Sequence, residues 1–359
     1  MTSKTNEFTI ENRRIGPDHP PYIIAELSGN HNGDLSRALK LIDAAATAGA
    51  DAVKLQTYTA DTITIEHNGP GFTVEGGLWN GRSLYDLYQE AHTPWDWHAA
   101  LFAHGKKTGI TVFSSPFDEQ AVDFLETLDC PAYKIASFEA MDQALVRKAA
   151  STRKPLIIST GMISEAEAKE VVTWAKDGGA GGLALLHCVS AYPAPTNASN
   201  IRSIPAMTAK FDAVVGLSDH SPGTIVASTA VGLGAALIEK HFCLSRADGG
   251  VDSAFSLEPD ELARLVADCR AAWEALGVAR IGRQPAADVN TVFRRSLYAV
   301  ADIQKGEIFT RDNVRSIRPG YGLPPAELPN VLGQRAACDL KRGDPLTAFD
   351  IMKANDKHS

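Results

Sequence analysis

The feature that most constrains the fold is a repeated alternation of short apolar runs with longer amphipathic stretches. Eight runs rich in β-forming residues occur along the chain, at 22–27, 51–56, 111–116, 132–137, 155–160, 183–188, 213–219 and 236–242. The stretches between them have a helical period. Continuous apolar runs are typical of parallel strands covered on both faces, so eight such units predict an α/β fold with a closed (β/α)8 TIM barrel. A doubly wound open sheet is the alternative, and it is disfavoured because no glycine fingerprint follows the first run.

Composition limits the classes of function. The chain has 359 residues, of which 44% are hydrophobic and 22% charged, and this predicts one large core and one smaller core. A formal net charge of −8 argues against a nucleic-acid or anionic-membrane partner. We expect a cytoplasmic protein, because the sequence contains neither a secretory h-region nor a run long enough to cross a membrane. Five cysteines without a CxxC pair fit reduced thiols.

The pattern changes near residue 285, which predicts a barrel domain at 1–285 and a second domain at 290–359. The second region contains a weak internal repeat: DIQKGEIFT (302–310) and DLKRGDPLT (339–347) align at an offset of 37 residues. The repeat predicts a small β-rich domain with two similar halves, in which Gly306 and Gly343 occupy turns.

A long segment at 57–90 separates the second predicted strand from the next helix. Segments of this length in compact domains are usually lids or binding loops. It contains the aromatic residues Phe72, Trp79, Tyr85 and Tyr88. These predict a segment that covers a substrate, although a surface excursion remains the alternative.

Polar residues lie at the end of nearly every predicted strand. Active sites of TIM barrels lie at the carboxyl ends of the strands, so we expect these residues to share one mouth. They are Glu26, Lys54, Gln56, Ser114, Ser115, Lys134, Ser137, Ser159, Thr160, His187, Ser218, Asp219, His220, Glu239, Lys240 and His241.

The chemistry of this mouth is only partly determined by the residue types. Lys54 and Lys134 suggest capture of an anion, with a Schiff-base lysine or ion pairing to Glu26 or Glu239 as alternatives. Neighbouring hydroxyls and helix N-termini favour the anion. His220 and His241 end adjacent strands and could hold a divalent metal. A structural histidine pair or a metal-free acid/base pair remains open, and Asp219 is a candidate to orient the imidazoles.

Several motifs, taken together, resemble the sialic acid synthase family. The motifs are IIAELSGNHNGD (23–34), DAVKLQTYT (51–59), FSSPFD (113–118), YKIASFE (133–139), IISTGM (157–162), GLSDHS (216–221) and IEKHF (238–242). The region containing RRSLYAVADIQKGE (294–307) and RPGYG (318–322) is similar to that family's antifreeze-like SAF domain. The resemblance implies a transferase dependent on Mn2+ or Mg2+. Such an enzyme condenses phosphoenolpyruvate with an acylamino sugar and water.

The resemblance also implies roles for individual residues. His220 and His241 would be the metal ligands, Glu26 the acid/base, and Ser218 a catalytic neighbour. The predicted substrate-binding residues are Lys54, Gln56, Ser115, Lys134, Ser137 and Ser159 for phosphoenolpyruvate and its surroundings, and Glu139, Tyr192 and Asp252 around the sugar. Arg318 would reach the partner's site in a domain-swapped homodimer.

Two segments favour the pseudaminic acid branch of that family. Ser190 in CVSAYP (188–193) stands where the sialic and legionaminic branches usually carry Asn, and 76–98 is similar to the pseudaminic branch. The implied substrate is a 6-deoxy di-N-acetylated altrose, whose methyl group Trp79 would suit. The alternatives are a sialic or legionaminic acid synthase and a barrel synthase that uses a phosphorylated sugar. A Schiff-base aldolase and a non-catalytic sugar-binding protein are further alternatives.

Overall fold

The computed structural model describes residues 6–352, and its main feature is a closed barrel of eight parallel strands. The strands are β3 (Tyr22–Glu26), β4 (Ala52–Thr57), β5 (Thr111–Pro116), β6 (Tyr133–Ile135), β7 (Pro155–Ser159), β8 (Gly182–Cys188), β9 (Val214–Asp219) and β10 (Leu237–His241). They follow one another around the barrel in chain order, and β10 closes it by pairing with β3. Each predicted apolar run overlaps one of these strands, so the predicted barrel is confirmed.

The helices between the strands form the outer layer. They are α1 (Leu35–Thr47), α2 (Ala60–Ile63), α3 (Leu84–Ala91), α4 (His98–Thr108), α5 (Glu119–Glu126), α6 (Gln143–Ser151), α7 (Glu165–Gly178), α8 (Ser203–Lys210), α9 (Ile225–Gly232) and α10 (Pro259–Leu276). Their limits follow local signals: α7 begins at a capping box of Ser164 with Glu167 and ends at Gly179, whose φ is 93°. Every residue of β3, β9 and β10 is buried, as expected for strands covered on both faces.

A short hairpin that the sequence did not reveal precedes the barrel. Its strands are β1 (Phe8–Ile10) and β2 (Arg13–Ile15), paired antiparallel. Phe8, Ile10 and Ile15 are buried in the same apolar cluster as the barrel strands. The Phe8 ring packs on Gly182, where an added Cβ would lie 2.4 Å from Phe8 Cβ. Because Gly182 is the first residue of β8, the hairpin lies at the end of the barrel opposite the mouth.

The long segment between β4 and α4 is more ordered than a simple loop. It contains α2, α3 and an isolated antiparallel bridge between Thr73 and Ser83. The helix after this segment, α4, begins only at His98, because Pro94 leads into a 3-10 turn at Trp95–Trp97.

The chain divides into two compact units, Met1–Gly277 and Val278–Ser359. The second unit contains β11 (Ser296–Ala299) paired antiparallel with β12 (Val314–Ile317), and a short helix α11 (Leu328–Val331). Residues 1–5 and 353–359, at the outer limits of the two predicted domains, lie outside the described residues. Within residues 6–352, no helix combines the length and apolarity that a membrane crossing needs.

The two repeats in the second unit pair with each other. The backbone groups of Ile303 and Leu340 exchange reciprocal hydrogen bonds of 2.8 Å. Asp339 accepts from the backbone N–H of Lys305 at 2.7 Å, and Asp302 accepts from that of Arg342 at 2.9 Å. The glycines that follow, Gly306 and Gly343, have φ of 84° and 101° and so form the predicted turns. The halves are therefore related by a near-twofold arrangement.

Candidate active site

A cluster of four buried charged side chains lies at the mouth of the barrel. Lys54 on β4 is its centre: Nζ lies 2.9 Å from Glu26 Oε2 and 3.5 Å from Glu239 Oε1. Lys134 Nζ, from β6, lies 3.5 Å from the same Glu239 oxygen. All four side chains are no more than 4% exposed. The barrel thus removes two ammonium groups and two carboxyl groups from water together. Because the cost of desolvating such charges can exceed their mutual attraction, the cluster is better explained by function than by stability.

Hydroxyl and amide groups surround this charged cluster. Gln56 Nε2 donates to Glu26 Oε1 at 2.8 Å, and the backbone N–H of Ser28 donates to the same oxygen at 3.1 Å. Ser115 Oγ accepts from Lys54 Nζ at 3.3 Å, and Ser218 Oγ donates to Glu239 Oε1 at 3.2 Å. The carboxyl of Glu26 is therefore fixed in one orientation.

The pKa values of the two carboxyl groups shift in opposite directions. Burial raises the pKa of Glu26, and the charge on Lys54 only partly offsets that effect. Burial acts the same way on Glu239, but Lys134 and Lys54 outweigh it and lower the pKa of Glu239 to about 2. Divergent pKa values in one buried site are typical of acid/base centres. Glu26 is thus the group suited to exchange a proton.

The imidazoles of His220 and His241 lie side by side at this mouth, with ring centroids 5.3 Å apart. His220 Nδ1 lies 3.1 Å from the carbonyl oxygen of Val189, so Nδ1 carries a proton and donates it to that oxygen. Burial lowers the pKa of His220, but the neighbouring Cys188 and this hydrogen bond outweigh burial and raise it. Burial and the nearby cations lower the pKa of His241 well below its ordinary value. In its neutral form, each imidazole at this corner has one nitrogen lone pair that could bind a metal.

The donor set at this corner fits a divalent metal. Among the described residues, the buried Nδ1 of His241 has no hydrogen-bond partner, and it lies 3.7 Å from Asp252 Oδ2. Imidazoles with nearby carboxylates are ordinary ligands for first-row metals. The same part of the chain has no group of three or more His, Cys, Asp or Glu side chains arranged to hold a metal. An ion held here would keep positions open for water or substrate.

Some buried side-chain oxygen atoms near the mouth have no hydrogen-bond partner in the part of the chain that the structure describes. Within residues 6–352, Glu139 Oε2, Ser159 Oγ and Glu239 Oε2 are buried without a hydrogen-bond partner. Such atoms are uncommon in folded proteins and mark positions where a ligand can bind. Burial raises the pKa of Glu139, while the charges on Lys134 and Lys54 lower it, so its carboxyl lies near the same cluster.

Close packing positions Ser137 beside these groups. Ser137 Oγ accepts from the backbone N–H of Gly161 at 3.2 Å. A Cβ on Gly161 would lie 2.5 Å from Ser190 Oγ and 3.0 Å from Ser137 Oγ, so only glycine fits there. Ser190, which favoured the pseudaminic branch in the sequence, therefore lies close to Ser137.

Aromatic rings form one wall of the mouth. Tyr192 packs on His220 at a centroid distance of 4.4 Å, and Phe255 packs on His241 at 4.9 Å. Trp79, from the long segment between β4 and α4, lies 5.8 Å from Tyr192 and 6.5 Å from Phe255. That segment thus reaches the mouth, as its predicted covering role requires.

Several residues predicted at the mouth face the surrounding helices instead. Ser114 bonds Thr57, which in turn bonds His98 on α4. His187 lies 2.8 Å from the carbonyl oxygen of Ser199. Asp219 and Lys240 pair with each other at 2.8 Å behind the barrel wall. Asp219 therefore does not contact either imidazole as an orienter, because alternate residues of a strand point to opposite faces.

Three predicted positions remain, which are Thr160, Asp252 and Arg318. Thr160 Oγ1 donates to the carbonyl oxygen of Leu186. Asp252 is buried and accepts a hydrogen bond from Ser28 Oγ, and burial raises its pKa to about 6. Arg318 is exposed in the second unit.

Sequence reasoning missed two contributors to the mouth. Ser28 has a φ of 45°, unusual for a residue with a side chain, and it contacts both Glu26 and Asp252. Phe255 is brought in by the segment after β10. Neither lies in a periodic element, and the only available signal was the position of Ser28 directly after the first strand.

With this geometry in hand, comparison with known proteins identifies the family. The sequence pattern of the NeuB family matches residues 41–280, and that of the SAF domain matches 294–352. The chain belongs to the NeuB family. A pseudaminic acid synthase of Campylobacter jejuni is 46% identical over 334 residues, which cover 93% of this chain and 97% of that protein.

Two further relatives are less similar to this chain. An N,N'-diacetyllegionaminic acid synthase of Campylobacter jejuni is 36% identical over 90% of this chain and 97% of its own length. The crystal structure of the N-acetylneuraminic acid synthetase of Leptospira borgpetersenii, in complex with citrate, superposes with a TM-score of 0.72 at 32% identity. It covers 80% of this chain and 95% of that one. The predicted NeuB-type barrel with a C-terminal SAF domain is confirmed.

Proposed function

We propose that this NeuB-family enzyme is a pseudaminic acid synthase. It condenses phosphoenolpyruvate with 2,4-diacetamido-2,4,6-trideoxy-L-altrose and water, giving pseudaminic acid and phosphate. The observation that carries the chemistry is the placement of Lys54 and Lys134 at the same mouth as Glu26 and the imidazole pair. The higher identity to a pseudaminic than to a legionaminic acid synthase supports the choice of sugar.

The charged cluster suits the binding of phosphoenolpyruvate. Lys54 and Lys134 place two ammonium groups in the cluster, and these can pair with the carboxylate or phosphate of the substrate. Burial lowers the pKa of Lys134, and an anionic substrate would counter that effect. Ser159 and Ser137 offer hydroxyl groups beside it. The mouth therefore attracts a small anion and holds it away from water.

The reaction needs an electrophilic aldehyde next to carbon 3 of phosphoenolpyruvate. We propose that His220 and His241 hold a divalent ion, Mn2+ or Mg2+, which when bound supplies Lewis-acid polarisation of the aldehyde. A carbon–carbon bond then forms between carbon 3 of phosphoenolpyruvate and the aldehyde carbon, while the carbonyl π bond opens and its oxygen takes up a proton to become a hydroxyl group. Carbon 2 becomes electron-poor and takes up water, and loss of phosphate leaves the keto acid.

Glu26 is suited to take the proton from that water. Its carboxyl is fixed by Gln56 and the backbone of Ser28, and its pKa is raised toward the working pH by burial. Glu239, which stays ionised, holds the two lysines in register. Tyr192, Glu139 and Asp252 surround the remaining space, where the sugar would lie.

The direct test is release of phosphate from phosphoenolpyruvate. Release should require the di-N-acetylated 6-deoxy altrose, should stop after chelation, and should return with added Mn2+ or Mg2+. A sialic or legionaminic acid synthase would instead respond to its own acylamino sugar in the same panel. Borohydride trapping of a keto acid on a lysine would contradict the proposal and indicate a Schiff-base aldolase. Phosphoenolpyruvate is a cytoplasmic metabolite, so we place the enzyme in the cytoplasm.

We further propose a homodimer in which the second unit of one protomer completes its partner's mouth. Phe138 and Met162, in the segments after β6 and β7, are 62% and 55% exposed. Apolar side chains beside an active site are typical of a docking surface. The exposed Arg318 would supply a further cation.

Subunit mixing tests this arrangement. Arg318→Ala and His241→Ala proteins should each be inactive, whereas their mixture should recover about a quarter of wild-type activity, because half of the dimers then carry one intact site. A mixture that stays inactive after confirmed subunit exchange would contradict the crossing arginine.

A further inference from the structure

The aromatic wall at the mouth has two layers. Tyr192 and Phe255 lie directly against the imidazoles. Trp79 contacts those two rings from the outer side. A substrate that begins at the imidazoles and extends outward therefore passes Tyr192 and Phe255 before it reaches Trp79.

Neither Trp79 nor Phe255 offers a hydrogen bond to a substrate. The indole N–H of Trp79 already donates to the carbonyl oxygen of Val251 at 2.8 Å, and this bond fixes the ring between its neighbours. Phe255, which is 7% exposed, has no polar atom. A hydroxyl group buried against these two rings would lose water without gaining a partner from them, whereas a methyl group would gain apolar contact.

We infer that Trp79, which packs on Phe255, contacts the substituent at carbon 6 of the sugar and favours a methyl group over a hydroxymethyl group there. The inference rests on the proposed function, which puts the aldehyde carbon at the imidazole corner. The six-carbon chain then extends across Tyr192, and its last carbon meets the indole face. Trp79 thus acts as a specificity-determining residue supplied by the segment between β4 and α4.

A matched pair of sugars isolates this role. The substrates are 2,4-diacetamido-2,4,6-trideoxy-L-altrose and the same sugar with a hydroxyl group on carbon 6. Apolar pockets that discriminate by one small group usually do so by about 10- to 100-fold. We expect the wild-type enzyme to prefer the 6-deoxy sugar by a factor in this range in kcat/KM.

Trp79→Ala should reduce that preference to less than about threefold, mainly by raising KM for the 6-deoxy sugar, with KM for phosphoenolpyruvate unchanged. Trp79→Phe, which keeps an apolar ring but loses the bond to Val251, should keep part of the preference. Trp273→Phe is the matched control, because that indole also donates to a backbone carbonyl, of Pro17, but lies on α10 away from the mouth. It should leave both sugars unaffected.

The outcomes separate the inference from the proposed function. A wild-type enzyme that uses both sugars equally, or a Trp79→Ala enzyme that loses activity on both by the same factor, overturns the role of Trp79 and leaves the synthase intact. A wild-type enzyme that releases phosphate with neither sugar overturns the proposed function, and the inference with it. Circular dichroism of each variant establishes that the barrel is folded.

Discussion

The ion pair behind the barrel wall makes a specific prediction about the imidazole corner. Lys240 Nζ contacts Asp219 Oδ2 at 2.8 Å and also donates to the carbonyl oxygen of Ser221. Asp219 Oδ1 accepts from the backbone N–H and the hydroxyl of Ser221 at 2.8 and 2.6 Å. These bonds hold the chain on both sides of His220. His241, which follows Lys240 on β10, faces the mouth.

The size of the effect follows from burial. The two side chains are 1% and 3% exposed, so replacing one leaves the other charge buried without an opposite charge beside it. Lys240→Met should therefore lower the free energy of unfolding by about 3–5 kcal/mol. Asp219→Asn together with Lys240→Met removes both charges and should be less destabilising than the sum of the single changes, with a coupling of about 2 kcal/mol.

Urea unfolding followed by circular dichroism measures these free energies, and kcat of the folded variants reports on the imidazole corner. We expect Lys240→Met to lower kcat as well as stability, because His220 loses its fixed position. A Lys240→Met protein within 1 kcal/mol of the wild type, or strictly additive single changes, would refute the reasoning.

Three further predictions concern the mouth and its surroundings. His220→Ala and His241→Ala should each lower kcat by at least about a hundredfold with unchanged circular dichroism; near-normal turnover would contradict the metal corner. Gly161→Ala should raise KM for phosphoenolpyruvate, since its Cβ would displace Ser137; an unchanged KM would count against that contact. Burial lowers the pKa of His98 to about 4, so the unfolded chain binds a proton first on acidification. His98 alone should then make the free energy of unfolding fall between pH 6.5 and 4 by about 1.4 kcal/mol per pH unit, a contribution that His98→Gln should remove.

The barrel could be predicted because its strands are long, apolar and regularly spaced. The hairpin formed by β1 and β2 could not, because strands of three residues carry no measurable period. Its role depends on burial of Phe8 against Gly182, which is a tertiary contact and leaves no local signal.

The sequence predicts which strand ends contribute polar residues to the candidate site. It does not predict which of those residues point into the mouth and which point toward the helices. Glu239 and His241 enter the mouth while Lys240, between them, faces the helices. The alternation of a strand predicts this division once its end is known, and the apolar pattern alone places that end only to within a few residues. Phe255 and Ser28 come from irregular segments, where no period relates sequence position to direction.

The mutual bracing of the repeats in the second unit has a consequence for how that unit unfolds. Asp302 accepts a hydrogen bond from the turn of the second repeat, and Asp339 accepts one from the turn of the first. When one repeat opens, the turn of the other therefore loses its side-chain acceptor. Cooperativity is thereby built into a polypeptide too short for a large core, and both copies should melt in a single transition.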